Sequence, residues 1–331
     1  MLYFCLKMKS APLLGCVLAI FIAWNVSLAH DVDGPPTTDW ETWKQRYRKK
    51  YGSMSEEIEK RAVWERNSAI IRKHNSEMNK TFDLAMNEFG DQEQMTRKHL
   101  PYAYPARSSS SDVSQKNLMG SPHVVLPSSV DWRKKGDVTP VRNQGQLGSA
   151  AAIAAADAVA SFHAIHKGNI AMLSAQEVQD CCRIHLADFV FDCIRKLGGL
   201  CKDGDYKPGN GTCQSGSCTP YAKVPNGGKK VSSGSEDTLA QAVVTEPVMV
   251  SIDASQASFQ FYSSGVYASS QCSSTQLDHS MLLVGYGRLG DQEYWICKNS
   301  WGTSWGMAGY ILIARNEGNM CGIATDALYP I

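Results

Sequence analysis

The chain has 331 residues, 43% of them hydrophobic, which is enough for two ordinary domains or one large domain with appendages and excludes a disordered chain or a short peptide hormone. Lys and Arg number 33 against 32 Asp and Glu, so the net charge is +1 with both signs interspersed, and neither nucleic acid nor an anionic membrane is expected as a partner. Eleven cysteines favour an oxidising compartment, and the odd count leaves at least one thiol that cannot pair within the chain.

Lys7 and Lys9 precede a charge-free apolar run from Ala11 to Trp24, followed by the small residues of Ser27-Leu28-Ala29. This pattern predicts a cleaved secretory signal over residues 1–29. The alternative is a signal anchor left in the membrane, because no charge falls between Lys9 and His30. No other apolar run approaches spanning length, so no membrane contact is expected once the signal is gone. Cys5 and Cys16 leave with it.

From Trp40 to about Gln94 the chain is charged and helix-like. Trp40, Trp43 and Tyr47 have the spacing of an apolar stripe on a helix. A second helix is predicted with Ser55 as N-cap, Glu56 and Glu57 in its first turn, and Ala62, Trp64, Ile70 and Ile71 as apolar contacts before Asn75. These helices define a module over residues 30–101. Residues 102–126 are predicted to be a linker, since Tyr102 to Ser114 holds Pro105, four consecutive serines and few apolar residues. From Leu126 onward one helical zone is followed by short strand-like runs such as Val248 to Ile252 and Met281 to Val284. That is an α+β pattern without internal repeats.

Several motifs in this second module go further. Pro127-Ser128-Ser129-Val130-Asp131-Trp132-Arg133 and Val138-Thr139-Pro140-Val141-Arg142-Asn143-Gln144-Gly145 closely resemble the start of a mature papain-family cysteine peptidase of the cathepsin L type. Leu277-Asp278-His279-Ser280 with Val284-Gly285-Tyr286-Gly287 resembles the family's histidine strand, Lys298-Asn299-Ser300-Trp301-Gly302 its asparagine motif, and Cys321-Gly322-Ile323-Ala324 its close. Upstream, Glu56, Trp64, Asn67, Ile71 and Asn75 match the interrupted pattern of the family's inhibitory propeptide helix, with Lys60 where arginine is usual. Ala85, Asn87, Phe89 and Asp91 resemble its second motif. The resemblance implies a papain-like two-lobe fold over residues 127–331, one lobe helical and one built around an antiparallel β-barrel, preceded by a helical inhibitory prodomain.

A papain-type site needs a thiolate at a helix N-terminus, a histidine beside it and an amide that orients the imidazole. The family signature around the nucleophile is C-G-[SA]-C-[WY], with His and Asn roughly 130 to 150 residues downstream. Here the window reads Leu147-Gly148-Ser149-Ala150-Ala151, and His279 and Asn299 fall at the right distances from position 150. Alanine has neither lone pair nor proton to give, so Ala150 predicts a loss on the order of 10⁶ in turnover, about 8 to 9 kcal/mol of transition-state stabilisation. Gln144 matches the family's oxyanion donor. The departures do not stop at the nucleophile. Leu147 replaces a disulfide cysteine, Ala151 replaces a large aromatic, and Cys182-Arg183-Ile184-His185 stands where the family has C-N-G-G. Ile184 and His185 are expected to crowd the cleft wall where bare glycine backbone normally pairs with substrate. A naturally degenerate peptidase is the reading these changes favour.

Each of these residues has a plainer reading. His279 and Asn299 can persist as a satisfied polar pair under the Trp301 ring instead of serving a retained ligand cleft. Ser149 adjoins Ala150 but is expected to point about 100° away, and Cys297 reads as a buried core cysteine more readily than as a relocated nucleophile. Asp326 aligns with the floor of the family's main specificity pocket, where an acid would favour a basic side chain; otherwise it is an exposed acid at a strand end. Cys181, Cys182 and His185 lack a second ligand pair at metal-site spacing, so no metal and no cofactor is expected.

By the same resemblance Cys181 pairs with Cys213 and Cys272 with Cys321, while Cys182 lacks its usual partner and is open to re-pairing with Cys193, Cys201 or Cys218. Asn79-Lys80-Thr81 and Asn210-Gly211-Thr212 are glycan sequons, in keeping with a secreted or endolysosomal location. The expected partners are peptides, propeptides or cystatin-type inhibitors in a residual cleft. A secreted structural or storage role and an active hydrolase with a non-standard nucleophile remain as alternatives.

Overall fold

The computed structural model describes residues 39–93, 125–146, 148–182, 189–209 and 211–331. The expected signal, most of the expected linker, Leu147, Ile184, His185 and Asn210 lie outside the described residues.

Helix α1, Trp40–Arg46, starts where Asp39 accepts the Thr42 N–H, and it buries Trp40 and Trp43. Its C-terminal turn closes through Arg48, which sits in the left-handed region at φ 53°. Glycine is the residue that takes this conformation without a Cβ penalty. Arg48→Gly is therefore expected to stabilise the chain by roughly 0.5–1 kcal/mol, read as a higher urea midpoint at unchanged slope.

Helix α2, Met54–Asn75, is capped by Ser53, two residues before the predicted cap. The reason is a variant of the capping box: Ser53 Oγ accepts from Glu56 N–H at 3.2 Å, while Glu56 Oε2 accepts from the N–H of Gly52, one residue before the cap, at 2.7 Å. The buried face carries Val63, Trp64, Asn67, Ser68 and Ile71; Ala62 and Ile70, expected inside, are exposed. Trp64 joins Trp40 and Trp43 in a small core of their own, against which Tyr47 and Tyr51 pack. The segment after α2 is sewn onto this core: Trp43 Nε1 donates to Asn87 O at 2.8 Å, and Asn67 Nδ2 donates to Gly90 O and Gln92 O. A Cβ at Gly90 would lie 2.5 Å from Met86 Sδ and 2.9 Å from Trp64, so no larger residue fits. Strand β1, Phe82–Leu84, lies between α2 and this segment.

The second module opens with β2, Val130–Asp131, a 3-10 turn over Trp132–Lys135, and the long helix α3, Ala150–Lys167. Alanine dominates α3 and nearly all of its first three turns are buried, so neighbouring backbone can approach closely from several sides. Two short helices, α4 (Ala175–Cys181) and α5 (Val190–Lys196), complete a helical lobe. The other lobe follows as β3 (Gly228–Lys230), α6 (Glu236–Thr245), β4 (Val248–Ile252), α7 (Ala257–Gln260), β5 (Tyr262–Tyr267), β6 (His279–Leu289), β7 (Gln292–Lys298), β8 (Tyr310–Ala314) and β9 (Ala327–Pro330).

The sheet runs β1-β5-β8-β7-β6-β4-β9-β3, with β2 added to β6. This path is open, and β5 pairs with β8 in parallel, whereas a barrel of antiparallel strands was expected. A short edge strand from the N-terminal module, β1, pairs antiparallel with β5 and covers one end of the path. Residues Thr37–Ile331 belong to one compact unit. No helix among the described residues is long and apolar enough to cross a membrane.

Cys181–Cys213 and Cys272–Cys321 are bonded as the resemblance implied. Cys182 is re-paired with Cys193, and Cys201 with Cys218. Cys297 is the only free cysteine among the described residues, and it is fully buried.

Candidate active site

The N-terminus of α3 is built by a tight turn. Gly148 N–H donates to Gln144 O at 3.0 Å, and a Cβ at Gly148 would meet that oxygen at 2.2 Å, so glycine is required. Ser149 is the N-cap, extended at φ −104° and ψ 118°, and its Oγ accepts from Ala152 N–H at 3.2 Å. The sequence placed Ser149 on the flank of the helix; it lies before the first turn, with its hydroxyl committed to the cap. Ala150 is the first helical residue.

Facing this end are the first residue of β6 and the residue after β7. His279 Nε2–H donates to Asn299 Oδ1 at 2.7 Å, the tautomer following from the acceptor, and Asn299 Oδ1 also accepts Ser300 N–H at 2.8 Å. Both side chains are buried, and Asn299 Nδ2 has no partner among the described residues. Burial, which strips water from the cation, lowers the His279 pKa to about 4, and the Asn299 hydrogen bond offsets part of that fall. The imidazole is therefore neutral at neutral pH. Trp301 lies over it with ring centroids 5.0 Å apart, backed by Phe259 and Trp305.

Gln144 is tied to the same corner. Its N–H donates to Ser300 O at 2.8 Å, its Oε1 accepts from Ser300 Oγ at 2.6 Å, and its Nε2 makes only a long contact of 3.4 Å to Gly148 O. The Gln144 amide nitrogen is thus only loosely committed as a donor.

Beneath the pair runs a network that the sequence did not announce. Lys298 Nζ donates to Asp157 Oδ2 and Thr139 Oγ1, both at 2.7 Å; Thr139 donates to Asp157 Oδ1 at 2.9 Å, and Arg142 Nε stands 3.3 Å from the same oxygen. Ala150, Ile153, Ala154 and Asp157 on one face of α3 line a narrow crevice opposite Met281, Lys298 and Asn299. The network joins the helical lobe to the strand that carries Asn299. The signal available in sequence was Lys298 itself, inside the asparagine motif.

Asp326 is half-buried, 3.0 Å from Lys230 Nζ and 3.4 Å from Ser251 Oγ, so a cation of the chain itself neutralises it. Burial pushes the Cys297 thiol far above its ordinary pKa, which leaves it protonated. Cys181 and Cys182 are consumed by disulfides. Glu177 lies close to Cys201 and Cys218, but those sulfurs are bonded to each other, so no thiolate is free to hold a metal there.

The N-terminal module reaches the site. Phe89 stands edge-on to Trp301 at 5.5 Å, Ser304 Oγ donates to Glu88 Oε1 at 2.9 Å, and Asn87 Nδ2 donates to Gln260 O at 2.7 Å. Asn79 is exposed between α2 and β1, and the hydroxyl of its sequon residue Thr81 donates to Val266 O at 2.8 Å.

This architecture is that of a known class. Residues 126–331 match the model of the papain family cysteine proteases, residues 40–95 match that of the cathepsin propeptide inhibitor domain (I29), and the chain belongs to the papain family. It is 38% identical over 335 residues to Procathepsin L of Mus musculus, covering 95% of this chain and 98% of the relative. It is also 38% identical over 332 residues to Digestive cysteine proteinase 2 of Homarus americanus, covering 95% and 99%. Among solved structures, digestive procathepsin L2 proteinase from Tenebrio molitor larval midgut superposes with a TM-score of 0.77 at 31% identity, over 88% of this chain and 98% of that one. The recombinant stem bromelain precursor gives 0.76 at 32% identity, over 88% and 96%.

Proposed function

We propose that this chain is a papain-family protein without covalent peptidase activity, whose cleft serves to bind peptides, propeptides or cystatin-type inhibitors. One observation carries the reading: the first residue of α3, across the crevice from Asn299 and its partner His279, is Ala150, which has no atom able to attack a carbonyl. Neither substitute is favoured, since the Ser149 hydroxyl caps the helix and the Cys297 thiol is buried and protonated. Gln144 still offers a donor to a bound carbonyl.

Self-cleavage is then not available, so the N-terminal module stays docked unless another protease cuts between the modules. Four disulfides and an exposed Asn79 sequon support a secreted or endolysosomal location. A second reading, a secreted structural or storage protein, is favoured by Phe89 over Trp301 and by Lys230 on Asp326, which leave little of the cleft on offer.

The test is to trim the native chain with an added protease, then present it with fluorogenic peptides and with an active-site-directed epoxide. The expected outcome is no turnover and no label. A covalent adduct on Ser149 or Cys297 would overturn the proposal.

A further inference from the structure

Two buried ionisable side chains outside any ion pair stand at opposite ends of β4. Glu246 caps the C-terminus of α6 just before that strand, at 6% exposure, and its Oε2 has no hydrogen-bond partner. At the far end of β4, Ile252 is paired with His279, itself 2% exposed.

The setting of Glu246 opposes its charge. It lies at the negative end of the α6 dipole, among the final carbonyls of that helix. Ala242 O already accepts from Glu246 N–H and Thr245 Oγ1, and Val243 O accepts from Trp132 Nε1. The buried Oε2 of a carboxylate finds no donor among the described residues, whereas a carboxylic acid brings one. The elements packed around this corner carry Arg133, Lys134 and Lys135 in the 3-10 turn, Asp157 on α3, Arg288 on β6 and Asp326 before β9. None of them moves Glu246: burial alone raises its pKa from 4.5 to about 7. Around His279, Asp157, Asp278 and Lys298 likewise contribute no shift, and burial and the Asn299 bond set its value.

We propose that Glu246 offsets the acid lability of His279, the contributions of these two buried groups to stability running in opposite directions between mildly acidic and neutral surroundings. The two linkages have opposite sign. His279, lowered from 6.5 to about 4, contributes stability that is complete above 6.5 and is lost as pH falls toward 4. Glu246, raised from 4.5 to about 7, contributes stability that is complete below 4.5 and is lost as pH rises toward 7. Over the overlap, unfolding releases a proton from Glu246 as it takes one up on His279. The idea is independent of whether the cleft binds anything.

The experiment is urea unfolding of the full chain from about pH 4.5 to 7.5, wild type against Glu246→Gln, with proton uptake on unfolding measured near pH 6. The midpoints are expected to coincide at the acid end and to separate in favour of Glu246→Gln as pH rises, with about one more proton taken up by the variant near pH 6. A gap that is constant with pH, or one that widens toward acid, overturns the proposal. If Glu246→Gln does not fold, Glu246→Met takes its place, and carbon-13 titration of the Glu246 carboxyl in the wild type gives an independent answer: a midpoint at an ordinary glutamate value sinks the idea.

Discussion

Ala150→Cys, with the N-terminal module trimmed away, is expected to convert a silent chain into one that an epoxide labels at position 150 and that hydrolyses peptides ~10³-fold or more above the native background. The argument is local. A thiol at the first position of α3 would sit at the positive end of the helix dipole, where a thiolate is favoured. The imidazole it needs is already oriented by Asn299 at 2.7 Å, with the ring nitrogen Nδ1 left over for the newcomer. His279 is held near pKa 4 because it is buried without an anion beside it. A thiolate would supply that anion, so the imidazole titration in Ala150→Cys is expected to move upward from its native position. Labelling without turnover in Ala150→Cys would mean that the nucleophile site is sound and the substrate path is closed. Absence of both would mean that the dyad no longer forms a working frame.

The second large effect is expected from the buried Lys298–Asp157 pair. Asp157→Asn strands an ammonium whose side chain is 1% exposed, and such losses cost about 3–5 kcal/mol. Burial already lowers the Lys298 pKa, with Asp157 holding it back, so without Asp157 the amine gives up its proton and recovers part of that cost. The double variant Asp157→Leu with Lys298→Met is expected to be closer to native stability than Asp157→Asn, because both charges leave together. Urea unfolding of the native chain and the two variants decides the matter: a double variant no more stable than Asp157→Asn would show that the pair does not act as a unit. By contrast, removing the exposed Arg61–Glu65 pair on α2 is expected to change stability by less than about 1 kcal/mol.

What was legible in the sequence was local or periodic. β4 falls on Val248–Ile252 as read, since an apolar run interrupted only by Ser251 and bounded by Pro247 has few other uses. The start of α2 was misplaced because two serines compete for the cap, and only Ser53 has Glu56 at the spacing that lets both side chains bond in return. Ala62 and Ile70 were misassigned for a related reason: apolar character does not fix a helix face when polar Asn67 and Ser68 are the residues turned inward. At the site, His279, Asn299 and Gln144 came from motifs; Asn299 and Gln144 meet at Ser300, and His279 reaches them through Asn299 because β6 and β7 are neighbours in the sheet. Lys230 on Asp326 and Asp157 under Lys298 could not be read. Their partners are far apart in the chain, and a lone charged residue carries no mark of the ion it will meet.

The pairing of β1 with β5 joins segments separated by most of the molecule, with Phe82 opposite Gly265. During synthesis, β1 leaves the ribosome long before its partner strand exists. The tryptophan cluster can close early from neighbouring sequence, but the strand beside it waits with its backbone unpaired until the sheet lobe has been made and assembled. This topology is expected to seat the N-terminal module last, with the backbone of β1 unpaired until β5 has been made.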